Sequence, residues 1–188
     1  MKITKNNQFG RSMIEMLGVL AIIGVLSIGA IAGYSKAMEK HKINKTINEI
    51  SSITQTIRTT FAHNPPASNI RCNIDDESSD GCKLLKKLDI LSDLSLIEQL
   101  IISPSGFLLF TRPQEPQICV GILTAELSEI GIQMIVANLT KGGQFYSQEY
   151  AKSQNITIDN NQLFLLPASL NDVHRFCTGG KMSIQMKY

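Results

Sequence analysis

Gly10-Arg11-Ser12-Met13-Ile14-Glu15-Met16-Leu17-Gly18-Val19-Leu20-Ala21-Ile22-Ile23-Gly24-Val25-Leu26-Ser27-Ile28-Gly29-Ala30-Ile31-Ala32-Gly33 is the stretch that decides the fold. After Glu15 no charged residue occurs until Lys36, so about 20 residues are long enough to cross a hydrocarbon core as a helix. A carboxylate at the start of such a span is the feature that needs explaining. A charge near the bilayer centre costs about 2.5–3.5 kcal/mol even on lenient insertion scales, so Glu15 calls for a compensating positive charge.

The residues around that carboxylate resemble a family. A short basic leader ending in Gly10, then Arg11, then Glu15 as the fifth residue after the glycine, then an apolar helix, is similar to the class III signal of prepilins. These are the type IV pilins and the pseudopilins of type II secretion. The resemblance implies cleavage between Gly10 and Arg11 by a prepilin peptidase that also methylates the new amine. It further implies that Glu15 pairs with the N-terminal amine of a neighbouring subunit during filament assembly. Arg11 departs from the family pattern, which usually has Phe or Met there. An ordinary signal anchor leaves Glu15 unexplained. A conventional signal peptide would be cut after a shorter apolar region, behind small residues.

Length leaves room for one globular domain beyond the first long helix, not for a multidomain enzyme. Removing Lys2 and Lys5 with the leader takes the 18 basic residues to 16, equal to the 16 acidic ones. No basic footprint of the kind nucleic-acid binding requires is left, so no nucleic-acid partner is expected. The basic leader places the N-terminus in the cytoplasm and the remainder on the far side of the membrane.

From Lys36 the helix continues with a different character. Ile43, Ile47, Ile50, Ile53, Ile57 and Phe61 recur at steps of three and four between polar residues, the pattern of an amphipathic helix with one covered stripe. Asn64-Pro65-Pro66 ends it. From Ser12 to Ala62 this predicts a rod of about 75 Å, half in the membrane and half against a domain. Gly18, Gly24, Gly29 and Gly33 punctuate the apolar half, with Gly29 and Gly33 at the spacing that lets helices approach closely. Either they mark close subunit packing in a filament core, or they reflect the general frequency of glycine in membrane helices. The proline that type IVa pilins carry near Ala32 is missing here.

Cys72, Cys82, Cys119 and Cys177 all lie in the part expected to be exported, where thiols oxidise. Four cysteines allow three pairings, and sequence alone does not choose among them. The short separation of Cys72 and Cys82 favours a local bridge, which leaves Cys119 with Cys177; chain entropy assigns these about 3 and about 4 kcal/mol. A metal site is not expected: Cys-x-x-Cys spacing is absent, and His41, His63 and His174 are scattered. The acidic run Asp75-Asp76-Glu77, with Asp80, lacks the alternating ligand positions of an EF-hand and reads as a solvated loop.

Beyond it, Leu84, Leu85, Leu88, Leu91, Leu94, Ile97, Leu100 and Ile101 repeat at helical steps, predicting one or two short helices. Gly106 to Arg112 reads as a strand. Cys119, Ile122, Leu123, Leu127 and Ile130 predict a helix that begins near Pro116 and ends at Gly131. Ile132–Val136 reads as a strand, with shorter ones at 156–158 and 163–166 and a turn at Lys141-Gly142-Gly143. Ser169 caps a helical turn through Val173 and Phe176. Residues 181–188 alternate Met182, Ile184, Met186 and Tyr188 on one face of a closing strand.

The cysteine placement and element order of this tail look like the disulfide-bounded D-region of type IV pilins, most like the larger type IVb group. The implied fold class is α+β, the type IV pilin fold, with a long N-terminal helix packed on an antiparallel sheet. The expected divisions are a leader over 1–10, a hydrophobic transmembrane and filament-core helix over 11–35, its amphipathic continuation over 36–63, and a globular domain over 64–188.

No Gly-x-Ser-x-Gly, Walker sequence or histidine cluster suggests catalysis, and neither cofactor nor metal is expected. The implied function is a structural pilin of a type IV pilus, supporting adhesion, aggregation, motility or conjugation. Its implied partners are other copies of itself in a helical homopolymer, the prepilin peptidase/N-methyltransferase, and an inner-membrane assembly platform. The implied location is the bacterial inner membrane, single-pass, and then the extracellular pilus. A type II secretion pseudopilin and a minor or tip pilin are the alternatives; the Cys119 to Cys177 span favours a pilin, because major pseudopilins usually stabilise that region with calcium.

Overall fold

The computed structural model describes residues 9–73, 75–76, 78–90, 97–125, 127, 130–158 and 162–188, with side chains described from Met13 onward. The expected leader residues 1–8, and Leu91 and Leu94 of the expected helices, lie outside the described residues. The chain divides into two compact units, 1–41 and 42–188.

The first unit consists of helix α1 (Phe9–Phe61) as far as His41. Every residue from Met13 to His41 is exposed, the inverse of what apolar side chains do in water. By length and composition this helix can cross a membrane.

In the second unit, α1 contributes its amphipathic part. Ile50, Ile53 and Ile57 are buried, and Ile43, Ile47 and Phe61 are half-buried beside them, so the expected stripe is the face that packs. Thr46 and Thr54 are buried on this helix, and their hydroxyls donate to the carbonyls of Lys42 and Ile50 one turn earlier. Such bonds remove the penalty of an unmatched buried hydroxyl. The helix ends at Phe61, just before the expected Asn64-Pro65-Pro66 stop.

Among the described residues the sheet has seven strands: β1 (Ile70–Asn73), β2 (Gln99–Ile102), β3 (Phe107–Pro113), β4 (Ile132–Val136), β5 (Gln144–Ser147), β6 (Leu163–Leu166) and β7 (Lys181–Lys187). Their order across the sheet is β1-β2-β3-β7-β4-β5-β6. Strand β7 therefore lies between β3 and β4, and its Met182, Ile184 and Met186 are completely buried, as the alternation predicts. Each such side chain contributes about 1.5–3 kcal/mol relative to exposure. Thr111 on β3 and Ser183 on β7 are directly paired across the ladder, and their buried hydroxyls share a hydrogen bond of 2.9 Å.

Four expectations are corrected. The sheet is mixed, not antiparallel: β5 and β6 run parallel, because the short helix α4 (Gln148–Ser153) follows β5 in the crossover that a parallel pair requires. Leu100 and Ile101 belong to β2, which is paired on both sides and buries alternate residues, while among the described residues of this stretch the helix is α2 (Asp80–Lys87). Helix α3 (Pro116–Thr124) stops before Leu127 and Ile130. Residues 156–158 form no strand. The last helix, α5 (Leu170–Phe176), is capped by the Ser169 hydroxyl, which accepts from the Asp172 amide.

Candidate functional site

Two groups of residues were singled out from the sequence, and each falls in a different unit. Gly10 and Arg11 lie in the first turn of α1, and Glu15 follows one turn later on the fully exposed stretch. At 3.6 residues per turn, Gly18, Gly29 and Gly33 fall within about 60° of one another, while Gly24 points elsewhere. A β-carbon built at any of the four would meet nothing within 4 Å. No contact within the described residues therefore requires glycine at these positions. What they create is a shallow strip on an apolar surface, where a second helix can approach closely.

The second group is the cysteines. Cys72 on β1 is bonded to Cys82 on α2, and Cys119 on α3 to Cys177 after α5. The first bridge draws α2 hard against β1: a β-carbon at Gly81 would stand 2.1 Å from the Arg71 carbonyl oxygen. That approach is possible only without a side chain. In the loop between these cysteines Ser78 Oγ donates to Asp76 Oδ1 at 2.5 Å, and on α2 Lys83 faces Asp80 at 3.7 Å. Ile74 and Glu77 lie outside the described residues. Among the described residues no three His, Cys, Asp or Glu side chains converge as a metal site would need.

The second bridge has a buried polar brace that the sequence did not reveal. Gln114, at the end of β3, donates through Nε2 to the Phe176 carbonyl at 3.1 Å and to Cys119 Sγ at 3.3 Å. Its Oε1 accepts from the Gly179 amide at 2.7 Å. One side chain thus joins β3, α3, the end of α5 and the turn into β7. A glutamine after a strand carries no sequence signal for this role, since its three partners are 5 to 65 residues away.

Arg112 was also missed. It is buried on β3, its Nε donates to the Pro113 carbonyl at 3.4 Å, and burial pushes its guanidinium below the ordinary arginine value. The carboxylates of Glu115 and Glu49 act in the opposite sense. Those two carboxylates are themselves faced by Lys42 at 3.7 Å and Lys45 at 3.6 Å. The cluster is a charge network between α1 and the sheet. Comparison with family models, with curated proteins and with solved structures finds no match for this chain.

Proposed function

We propose that the chain is a type IV pilin: a structural, non-catalytic subunit that is processed after Gly10, held in the inner membrane by α1, and assembled with copies of itself into an extracellular filament. The observation that carries this reading is the stretch from Met13 to His41, helical, apolar over its first two-thirds and exposed at every residue, with Glu15 near its head. A surface of that kind needs lipid or other helices around it. A carboxylate among apolar residues gains most from an ammonium group close by. Copies of one helix, each with a free amine at Arg11, would supply both the apolar cover and the ammonium. The Cys119–Cys177 bridge supports a pilin over a secretion pseudopilin.

Mass measurement of the purified mature protein tests the reading. The expected terminus is a methylated Arg11, and Gly10→Ala should leave the precursor uncut. A terminus downstream of the apolar segment would overturn it.

A further inference from the structure

We propose that Lys36 and Lys40 bind the phosphate groups of anionic phospholipids in the leaflet facing the globular domain. The proposal rests on the membrane-spanning part of the reading above and adds a partner to it.

Position along α1 is the first ground. Residues 16–35 carry no charge, and at about 1.5 Å per residue they cover about 30 Å, the thickness of the hydrocarbon core. Lys36 therefore stands at the hydrocarbon boundary, and Lys40 about 6 Å beyond it. Headgroups occupy about 5–7 Å on each side, so both ammonium groups lie at phosphate depth. Tyr34, 68% exposed, falls just inside the boundary, the level at which amphipathic rings settle. Lys42 and Lys45 come about 9 Å and about 14 Å past Lys36, clear of the headgroups.

The second ground is that ion pairing changes at the same depth. Lys42 faces Glu115 at 3.7 Å and Lys45 faces Glu49 at 3.6 Å. Lys36 and Lys40 are exposed, and neither has an ion-pair partner among the described residues. The lysines matched by a protein carboxylate are those beyond the reach of lipid, and the two left over are those within it. Four residues apart, these two lie within about 40° on one face of the helix, close enough to hold one phosphate between them or two adjacent ones. Glu39 is the one acid at this depth, about 60° from Lys36 and about 100° from Lys40. The face of the two lysines stays positive, so it prefers a lipid with net negative charge to a zwitterionic one. Basic residues on the exported side also run against the usual charge distribution of membrane proteins, and a lipid contact gives them a use.

Electron paramagnetic resonance of the full chain in phosphatidylcholine vesicles tests this, with trace phosphatidylglycerol or phosphatidylcholine spin-labelled on the acyl chain. Lipid held against the helix shows as a motionally restricted component. Phosphatidylglycerol should enter it about fivefold more readily than phosphatidylcholine, and about 1 M NaCl should remove most of the difference. Lys36→Gln paired with Lys40→Gln should bring the preference down to about twofold, the remainder belonging to basic residues at the opposite leaflet. Lys42→Gln paired with Lys45→Gln should leave it unchanged. Equal entry of the two lipids, as when carboxylates of a second copy occupy both lysines, would overturn the proposal. So would a preference that the first pair of substitutions leaves intact or that the second pair removes. Absence of any restricted component would refute the spanning helix itself, and this proposal with it.

Discussion

Gly121 on α3 lies so close to Ile43 on α1 that a β-carbon at residue 121 would stand 2.6 Å from Ile43 Cδ1, with two more carbons of the same side chain at 2.7 Å. Alanine is ordinarily better than glycine inside a helix by about 1 kcal/mol. Here the contact reverses that preference, because the β-branched isoleucine has little freedom to turn aside. Gly121→Ala should destabilise the fold by about 1–3 kcal/mol. Pairing it with Ile43→Ala should recover part of the loss. Chemical denaturation of the single and double variants measures the coupling, and additive effects would show that the two residues do not meet.

The two disulfides should contribute unequally. The Cys119–Cys177 bridge spans 58 residues and the Cys72–Cys82 bridge spans 10, so removing the first by paired serine substitution should cost about 4 kcal/mol and the second about 3. Gln114→Leu should lower stability with both bridges intact, by about 1–3 kcal/mol, since the Gly179 amide and Phe176 carbonyl lose their partner. Unfolding midpoints under non-reducing conditions check all three.

Alkaline pH should destabilise the globular domain. Burial raises the Tyr188 and Tyr146 hydroxyls above the ordinary tyrosine value, with Tyr150 adding to the effect at Tyr146. The hydrogen bond to Glu98 raises Lys181 in the same direction. Each group holds its proton more firmly folded than unfolded, so its contribution is complete below about pH 10 and is lost as pH climbs through the raised values. The melting temperature should be flat from about pH 8 to about pH 10 and fall beyond it. Tyr188→Phe forfeits the 2.5 Å bond to the Ser103 carbonyl, so it should start lower at neutral pH yet fall less steeply.

On the proposed pilin function, Glu15→Ala should leave the oxidised globular domain and cleavage intact while filament yield drops sharply, and Glu15→Lys should be worse because it would set ammonium beside ammonium. A blot for cleaved protein beside a count of sheared filaments decides this. Normal filaments from the cleaved alanine variant would refute the assembly role.

How much of this was legible in the sequence depended on whether a signal was local. Met182, Ile184 and Met186 announce a strand because one face of β7 meets the core, and Ser169 announces a helix start because its hydroxyl serves an amide three residues on. Leu100-Ile101-Ile102 misled, since a run of aliphatic residues satisfies helical spacing as readily as strand spacing. Only the pairing to β1 and β3 decides between them, and that pairing involves distant residues. Strand β5 and helix α4 are too short to show a period. Gln133 and Gln114 look like ordinary polar residues until the fold encloses them.

The position of β7 makes it the joint of the sheet. Among the described residues six strands precede it in the sequence, yet β3 and β4 have no ladder with each other and meet only through it. Without β7 the other strands fall into two half-sheets, β1-β2-β3 and β4-β5-β6, each with an edge of unmatched amides and carbonyls. Such edges invite pairing with other chains. A chain lacking β7 would therefore be a sticky fragment in place of a slightly smaller domain.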